Sequence, residues 1–167
     1  MKAIFLLVLI SASAFAQSRP SSLTSACGPN KVTFSAKEAS TSLAPALPDS
    51  GKALVYFIQD EGPLSENRHY TLKIGLDGVW IGAYRDNAVF AVSAEPGEHH
   101  ICANVQSNFH AGINFAFVHF TAEAGKVYYF RTRLNEYGGH MEIDQPDSDE
   151  AKYLIANYPA SISKPNK

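Results

Sequence analysis

From Gly51 onward the sequence consists of short β-rich runs that are separated by turn residues. Each run has the length of a strand and carries β-branched or aromatic side chains. Regular spacing of this kind favours an antiparallel sandwich or barrel. We therefore expect an all-β fold, an antiparallel β-sandwich of about seven to nine strands with one short C-terminal helix. The runs are residues 52–59, 70–76, 79–84, 88–94, 99–105, 113–121 and 126–134.

Asp77-Gly78 predicts a two-residue hairpin turn, because Asp and Gly both tolerate the positive φ that such a turn requires. The expected register joins three apolar pairs that face the core, Leu76–Val79, Ile74–Ile81 and Leu72–Ala83. The outer face of the hairpin then carries Lys73, Gly75, Trp80, Gly82 and Tyr84. Further chain reversals are predicted at Glu95–Glu98 and at Glu123–Gly125.

The first 16 residues are typical of a secretory signal peptide. Lys2 precedes an apolar run from Ala3 to Ala16. This run is shorter than the roughly 20 residues that a membrane-spanning helix needs. Because no cysteine directly follows the run, the sequence favours export to the periplasm or the cell exterior without a lipid anchor.

Three segments follow this leader. Residues 17–50 are predicted to be an arm rich in Ser, Pro and Ala, with one strand-like alternation at 32–34. Residues 51–158 are expected to form the sandwich domain, and residues 159–167 a flexible tail. A helix over 148–158 is included in the domain, because Asp147 and Glu150 have capping-box spacing ahead of a helical apolar pattern.

Export would place the two cysteines, Cys27 and Cys102, in an oxidising compartment. Two thiols in one small exported domain are usually paired. We therefore predict a Cys27–Cys102 disulfide. The alternative is two separate thiols, one buried and one on the arm.

Four pieces of the sequence carry a recognisable pattern of strands and turns. They are residues 51–57, 74–83, 96–100 and 124–130, and they include Asp77-Gly78 and a Pro-Gly-Glu-His turn. Over roughly residues 50–135 the chain resembles the bacterial domain-of-unknown-function family numbered 2846. The same pieces are similar to small surface modules with a Pro-Glu-Gly-Ala-type repeat. The resemblance implies an exported β-domain of the cell envelope and implies no catalytic residues.

Charge and motifs exclude several classes of function. Without its leader the chain keeps 13 of its 14 basic side chains against 16 acidic ones, a formal charge of −3. This balance argues against nucleic-acid binding. The sequence contains no serine-hydrolase elbow, HExxH motif, P-loop or dinucleotide fingerprint. We therefore expect no cofactor and no transmembrane segment, and the sequence favours a protein that is not an enzyme.

The sharpest cluster of ionisable residues is the segment 140–144. If it is a strand, alternation places His140, Glu142 and Asp144 on one face as potential metal ligands. One strand spaces them too widely to close a site, so another element would have to contribute a ligand. The favoured alternative is a solvated edge strand whose charges discourage aggregation. The available histidines are His99, His100, His110 and His119.

The outer face of the hairpin is a candidate binding surface. Trp80, with Lys73 and Tyr84 on the same face, offers a flat platform for a sugar ring or a peptide. The favoured alternative is that Trp80 covers bare glycine backbone, or lies beneath the C-terminal helix or the N-terminal arm.

A second candidate surface lies on the run 126–134. Tyr129, Arg131 and Arg133 should share a face that suits a carboxylate, a phosphate or a uronic acid, because they alternate with Tyr128, Phe130, Thr132 and Leu134. The favoured alternative is that the arginines pair with the acidic residues at 142–150.

Together these features predict a secreted or periplasmic, non-catalytic module of the cell envelope that binds a glycan, a peptide or another envelope protein. The alternative function is a small metal-dependent hydrolase that uses the strand 140–144. A purely structural role without a ligand is a third interpretation. The sequence leaves the oligomeric state open.

Overall fold

The computed structural model describes residues 26–61, 70–106, 115–135 and 140–167. Ten strands and one helix lie within these ranges, which confirms the predicted all-β sandwich with a short C-terminal helix. The strands are β1 (Phe34–Ser42), β2 (Ala53–Gln59), β3 (Thr71–Leu76), β4 (Val79–Arg85), β5 (Val89–Ala94), β6 (Gly97–Val105), β7 (Phe115–Ala122), β8 (Val127–Asn135), β9 (His140–Asp144) and β10 (Pro159–Pro165), and the helix is α1 (Ser148–Asn157).

The strands form two sheets. The larger sheet has the order β1-β10-β5-β2-β8-β9 and the smaller one β4-β3-β6-β7. Neighbouring strands are mostly antiparallel, but β2 pairs with β8 and β5 with β10 in parallel. The chain crosses between the sheets at both of the predicted reversals, 95–98 and 123–125. The strands that flank each reversal therefore belong to different layers.

The main core lies between the sheets, with β2 at its centre. Every residue of β2 is buried. Val55 and Phe57 point between the sheets, where the Phe57 ring stacks on Phe90 and Phe130 at centroid distances of 5.2 and 6.1 Å. Alternate residues of β2 point to the other side, under α1: Leu54, Tyr56 and Ile58. Full burial of such side chains stabilises the fold by about 1.5–3 kcal/mol each.

Helix α1 covers the outer face of the larger sheet. It begins after Asp147, whose side-chain carboxylate accepts hydrogen bonds from the amides of Asp149 and Glu150 at 2.9 Å. The Glu150 carboxylate binds Arg131 instead of completing a capping box. One side of the helix is buried against the sheet through Ala151, Leu154 and Ile155. The predicted helix and its cap are thus present, and no helix in the described ranges is long and apolar enough to cross a membrane.

The β3–β4 hairpin contains a bulge that the sequence did not predict. Leu76 lies opposite Val79, as expected, and Gly75 lies opposite Trp80. Ile81 then has no partner, because the next pair is Ile74–Gly82. The predicted pairs Ile74–Ile81 and Leu72–Ala83 are therefore wrong.

Beyond the bulge the two faces of β4 exchange sides, since one extra residue breaks the two-residue period. Tyr84 points into the main core, whereas Ala83 points outward. Val79, which was expected inside, is 61% exposed. The apolar pattern alone could not reveal the exchange of faces in β4. A strand without a bulge would also be apolar on one face, so the pattern fits both arrangements.

The C-terminal segment forms β10 rather than the flexible tail expected for 159–167. It pairs antiparallel with β1 and meets β5 at the pair Ala160–Val89. Ser161 Oγ donates a hydrogen bond to the Ala83 carbonyl at 2.8 Å, and Ser163 Oγ accepts one from the Ala83 amide at 3.1 Å. These hydroxyl groups bind the edge of β4, a contact that a hydropathy pattern cannot show. The domain therefore extends past residue 158.

Residues 26–33, which we call the strap, lie across the outer face of the smaller sheet. Cys27 of the strap forms a disulfide with Cys102 of β6, as predicted. The strap approaches the sheet closely at Gly75, where a Cβ atom would lie 2.7 Å from the Ala26 carbonyl oxygen. A third cluster of buried side chains forms beneath the strap: Ala26, Cys27, Phe34, Trp80, Ala83 and Cys102.

His99 is held between two hydrogen-bond acceptors beside the first sheet-crossing reversal. Its Nδ1 lies 2.6 Å from a carboxylate oxygen of Asp77, and its Nε2 lies 2.6 Å from the Glu95 carbonyl oxygen. An imidazole that donates to two acceptors must carry both protons. Burial lowers the pKa of His99, but the bonds to Glu95 and Asp77 outweigh it, so the pKa is raised above 6.5.

Replacing Cys27 and Cys102 together by serine should lower the free energy of unfolding by roughly 4 kcal/mol, because the disulfide closes a long loop in the unfolded chain. Urea unfolding followed by Trp80 fluorescence measures the change. The matched control is the wild-type protein with a reductant, which should lose about as much stability, whereas the double variant should not respond. A loss below about 1 kcal/mol would show that noncovalent contacts alone hold the strap.

Replacing His99 by glutamine should destabilise the protein more at low pH than at high pH. The stabilisation from the charged imidazole is fully present below the unfolded pKa of 6.5 and is lost as the pH rises through the higher folded pKa. Urea unfolding at about pH 5.5 and about pH 8.5 measures the difference. The exposed His140, replaced by glutamine, is the control. A destabilisation of His99→Gln that does not change with pH would contradict the assigned protonation.

Candidate functional site

The strap covers the hairpin face on which the sequence placed a binding platform. Trp80 is only 8% exposed, and its Nε1 donates to the Pro29 carbonyl at 2.9 Å. Gly28 lies so close to the ring that a Cβ atom would be 2.3 Å from Cδ1 of Trp80. Lys73 Nζ lies 4.2 Å from the ring centroid and donates to the Val32 carbonyl at 2.9 Å, and burial lowers the pKa of this lysine. Trp80 therefore lies beneath the N-terminal arm, with its indole N–H already bonded.

Tyr84, the third residue predicted for the platform, lies on the opposite face of β4. Its side chain is fully buried in the main core, and its hydroxyl lies 2.6 Å from the Thr132 hydroxyl. Burial raises the pKa of the Tyr84 hydroxyl. Because the bulge at Ile81 reverses the alternation, the structure does not bring Tyr84 together with Trp80.

Tyr129, Arg131 and Arg133 share the face of β8 that lies toward α1, as the alternation predicted. Arg131 is buried and donates two hydrogen bonds to the Asp144 carboxylate. Its Nε donates to Oδ1 at 3.0 Å, and its Nη2 donates to Oδ2. Its Nη1 binds Glu150 in the first turn of α1. The hydrogen bonds from Arg131 hold the pKa of Asp144 below its usual value. The alternative interpretation, pairing with the acidic residues at 142–150, is what the structure shows for Arg131.

Asp60 joins the same polar network from the end of β2. Arg133 Nη2 lies 3.3 Å from one Asp60 oxygen, and Tyr158 donates its hydroxyl proton to the other at 2.8 Å. Burial, and then the bond to Asp60, raise the pKa of the Tyr158 hydroxyl. The network therefore anchors both the first turn of α1 and the residue that follows the helix.

The predicted metal strand, β9, places His140, Glu142 and Asp144 on the same side as the arginine row. Arg133 lies opposite Glu142 in the register, and Arg131 opposite Asp144. Asp144 is engaged by Arg131, as described above. His99, His100 and His119 belong to the smaller sheet, and His110 lies outside the described residues. In the described ranges no three His, Cys, Asp or Glu side chains are grouped so as to hold a metal ion.

A cavity of about 460 Å³ lies beside α1, next to these residues. Its floor is formed by Tyr56 of β2 and Tyr129 of β8, whose rings stack at 5.7 Å and 22°. Parallel pairing of β2 with β8 puts these two tyrosines directly opposite each other. The other lining residues come from the end of β1 and the chain after it, from β8 and from the helix: Ser42, Leu43, Pro45, Ala46, Val127, Lys152, Ile155 and Ala156.

Polar groups in the cavity are few. The Tyr56 hydroxyl accepts a hydrogen bond from the Ala46 amide at 3.2 Å. Within the described part of the chain the Tyr129 hydroxyl has no hydrogen-bond partner. Lys152 is the one charged residue of the lining, and its only ion pair within the described ranges is a 3.6 Å contact with the exposed Asp149. The cavity is thus an apolar space with a few hydroxyl groups and one cation at its edge.

Sequence analysis identified Tyr129 but missed its partner Tyr56. The two residues lie 73 positions apart, and only the parallel pairing of β2 with β8 brings them together. The available signal was the alternation of Leu54, Tyr56 and Ile58 on one face of β2. That alternation cannot be recognised in a run that is apolar from Ala53 to Ile58, because both faces are then apolar.

Replacing Arg131 by methionine should lower the free energy of unfolding by about 3 kcal/mol, the lower end for breaking a buried pair, because the carboxylates left behind still reach water. The matched control is Arg133→Met on the same face of β8. Arg133 is 46% exposed, so its loss should cost under about 1 kcal/mol. Urea unfolding at neutral pH measures both. Equal losses in the two variants would contradict the central role of Arg131 in the network.

Comparison with known proteins leaves the family of this chain open. No protein family matches it, and no curated protein matches it. A solved NMR structure of a protein from Eubacterium rectale is similar to 59% of this chain and 92% of that chain, with a TM-score of 0.39 and 12% identity. Similarity at this level identifies neither a shared fold nor a shared function.

Proposed function

We propose that this chain is a non-catalytic binding module of the bacterial cell envelope, and that its ligand occupies the cavity beside α1. The observation that carries the proposal is the apolar space of about 460 Å³ above the stacked rings of Tyr56 and Tyr129. Ligand sites are typically concave, mostly apolar and supplied with a few convergent polar groups. The Tyr129 hydroxyl, which has no hydrogen-bond partner among the described residues, is such a group.

The lining favours a small amphiphile with one anionic group. A volume of about 460 Å³ falls in the size range of small-molecule sites rather than protein interfaces. A glycan would present more hydroxyl groups than this lining could satisfy, and each unsatisfied group would oppose binding. An aliphatic chain suits Leu43, Val127 and Ile155, while a carboxylate at its end would meet Lys152. The charge of that lysine makes an anionic end group preferable to a cationic one.

Three sequence features support an envelope location. The apolar segment 3–16 is typical of a signal peptide. The Cys27–Cys102 disulfide is typical of oxidising compartments. The resemblance to the family numbered 2846 points in the same direction. A metal-dependent hydrolase is not our proposal, because Asp144, one of its three predicted ligands, is engaged by Arg131.

Titration of residues 17–167 with straight-chain carboxylates, from hexanoate to dodecanoate, tests this proposal by calorimetry. The affinity should rise about fourfold with each added methylene until the cavity is full, because each buried methylene contributes about 0.8 kcal/mol. Lys152→Met should weaken binding of the carboxylates but not of the matching alcohols. Absence of saturable binding at every chain length would contradict the proposal.

A cavity-filling variant locates the binding. Ala156 lines the cavity, so Ala156→Trp should fill the space and abolish binding. Tyr153→Trp is the matched control, since Tyr153 lies on the same helix, is 67% exposed and does not line the cavity. The Tyr153→Trp variant should bind the carboxylates with the affinity of the wild type. Equal binding by both tryptophan variants would place the ligand elsewhere.

A further inference from the structure

The outer face of the smaller sheet carries a pair of histidines that none of the contacts described above explains. His100 of β6 and His119 of β7 lie directly opposite each other in the antiparallel register, and their ring centroids are 6.3 Å apart. His119 is exposed, and the His100 side chain is 43% exposed. Both rings therefore reach solvent from the same face of the sheet.

The separation of the rings suits a shared metal ion. Side chains directly opposite in an antiparallel pair have Cβ atoms about 4.5–5.5 Å apart, so two imidazoles can each direct one nitrogen toward a point between them. Metal–nitrogen distances are about 2.0–2.1 Å, and rotation of the two rings about their side-chain bonds can bring one nitrogen of each onto the ion. The rings are tilted by 42°, so they are not stacked face to face. In the described ranges the His119 nitrogens have no hydrogen-bond partner.

A carboxylate lies beside the pair. Glu98 precedes His100 by two residues on β6, and its Oε1 is 3.8 Å from Nε2 of His100. Residues two apart on a strand share a face, so this negative charge stays near the imidazoles. It favours a cation at the site without being required as a third ligand.

The backbone that carries His100 is fixed on both sides. The His100 amide donates to Asp77 Oδ1 at 2.8 Å, and Cys102, two residues farther along β6, holds the disulfide. The neighbouring His99 points to the other face of the sheet and is fully used by Asp77 and Glu95. His99 therefore does not compete for the same ion, and the ligand pair is His100 with His119.

We propose that His100 and His119 form an exchangeable site for a divalent transition-metal cation, with Glu98 as a nearby counter-charge. Two protein nitrogens bind the ion, and water molecules complete its coordination. Imidazole ligands suit Cu²⁺, Ni²⁺ and Zn²⁺, and the general order of affinities places Cu²⁺ first. The site is separate from the cavity beside α1, because it lies on the other sheet.

Titration of the full chain with CuCl₂ and with ZnCl₂ tests the proposal. One equivalent should bind and raise the melting temperature, because specific binding to the folded state stabilises it. MgCl₂ should have no effect, since Mg²⁺ prefers oxygen ligands. The electron paramagnetic resonance spectrum of the Cu²⁺ complex should show two imidazole nitrogens in the wild type and one in His119→Gln.

Single histidine variants assign the ligands. His100→Gln and His119→Gln should each weaken binding by at least about tenfold. Both side chains are exposed, so their melting temperatures without metal should stay near that of the wild type. His140→Gln, an exposed histidine on β9, is the matched control and should bind as the wild type does. Unchanged binding in His100→Gln and His119→Gln, or loss of binding in His69→Gln or His110→Gln instead, would overturn the proposal.

Discussion

The burial of β2 on both faces is the constraint on which the rest of the structure depends. A strand that is buried along its whole length and apolar from Ala53 to Ile58 needs a cover on each side. On one side the cover is the smaller sheet, and the main core of the sandwich forms there. On the other side the cover is α1, which buries Ala151, Leu154 and Ile155 against the larger sheet. The molecule is therefore three layers deep at β2, although its secondary structure is almost entirely β.

The same need for cover explains the two ends of the described chain. The strap shields the outer face of the smaller sheet, with Trp80 and Lys73 beneath it. Strand β10 runs along the edge of β4 and occupies its backbone groups through two serine hydroxyls. An edge strand with free N–H and C=O groups invites association with other chains, so these contacts also protect the sandwich.

Local features of the sequence predicted local features of the fold. Conformational preferences that act over short distances account for the seven strand-like runs, the Asp77-Gly78 turn and the cap at Asp147. The disulfide was predicted from the chemistry of cysteine in an oxidising compartment. The bulge at Ile81 and the order of β10 depend instead on packing partners that are far away in sequence. Neither could be predicted from an apolar pattern, because that pattern does not say which strand lies next to which.

The candidate sites show the same division. The alternation in β8 correctly placed Tyr129, Arg131 and Arg133 on one face. The pairing of Arg131 with Asp144 and Glu150 was anticipated, whereas Asp60, the nearest acidic partner of Arg133, was not. The cavity was not anticipated, because it depends on the parallel pairing of β2 with β8. The sequence indicated His100 and His119 only as additional ligands for the strand 140–144. It does not show that β6 pairs with β7 in the register that places His100 opposite His119.

The position of the polar network along β8 bears on how a ligand could reach the cavity. Val127 and Tyr129 line the cavity, whereas Arg131 and Arg133, farther along the same face, hold α1 through Glu150. Moving the helix away would break the charged contacts of a buried guanidinium, which is costly.

The opposite wall of the cavity is held far less firmly. Residues 43–46 have no regular secondary structure, and among the described contacts they meet the cavity floor through the Ala46–Tyr56 hydrogen bond and the packing of Leu43. Breaking a single hydrogen bond of this kind costs only about 1 kcal/mol. The segment 43–46 can therefore shift at far lower cost than α1, so the lining can adjust to a bound molecule while the helix and the stability of the fold are kept.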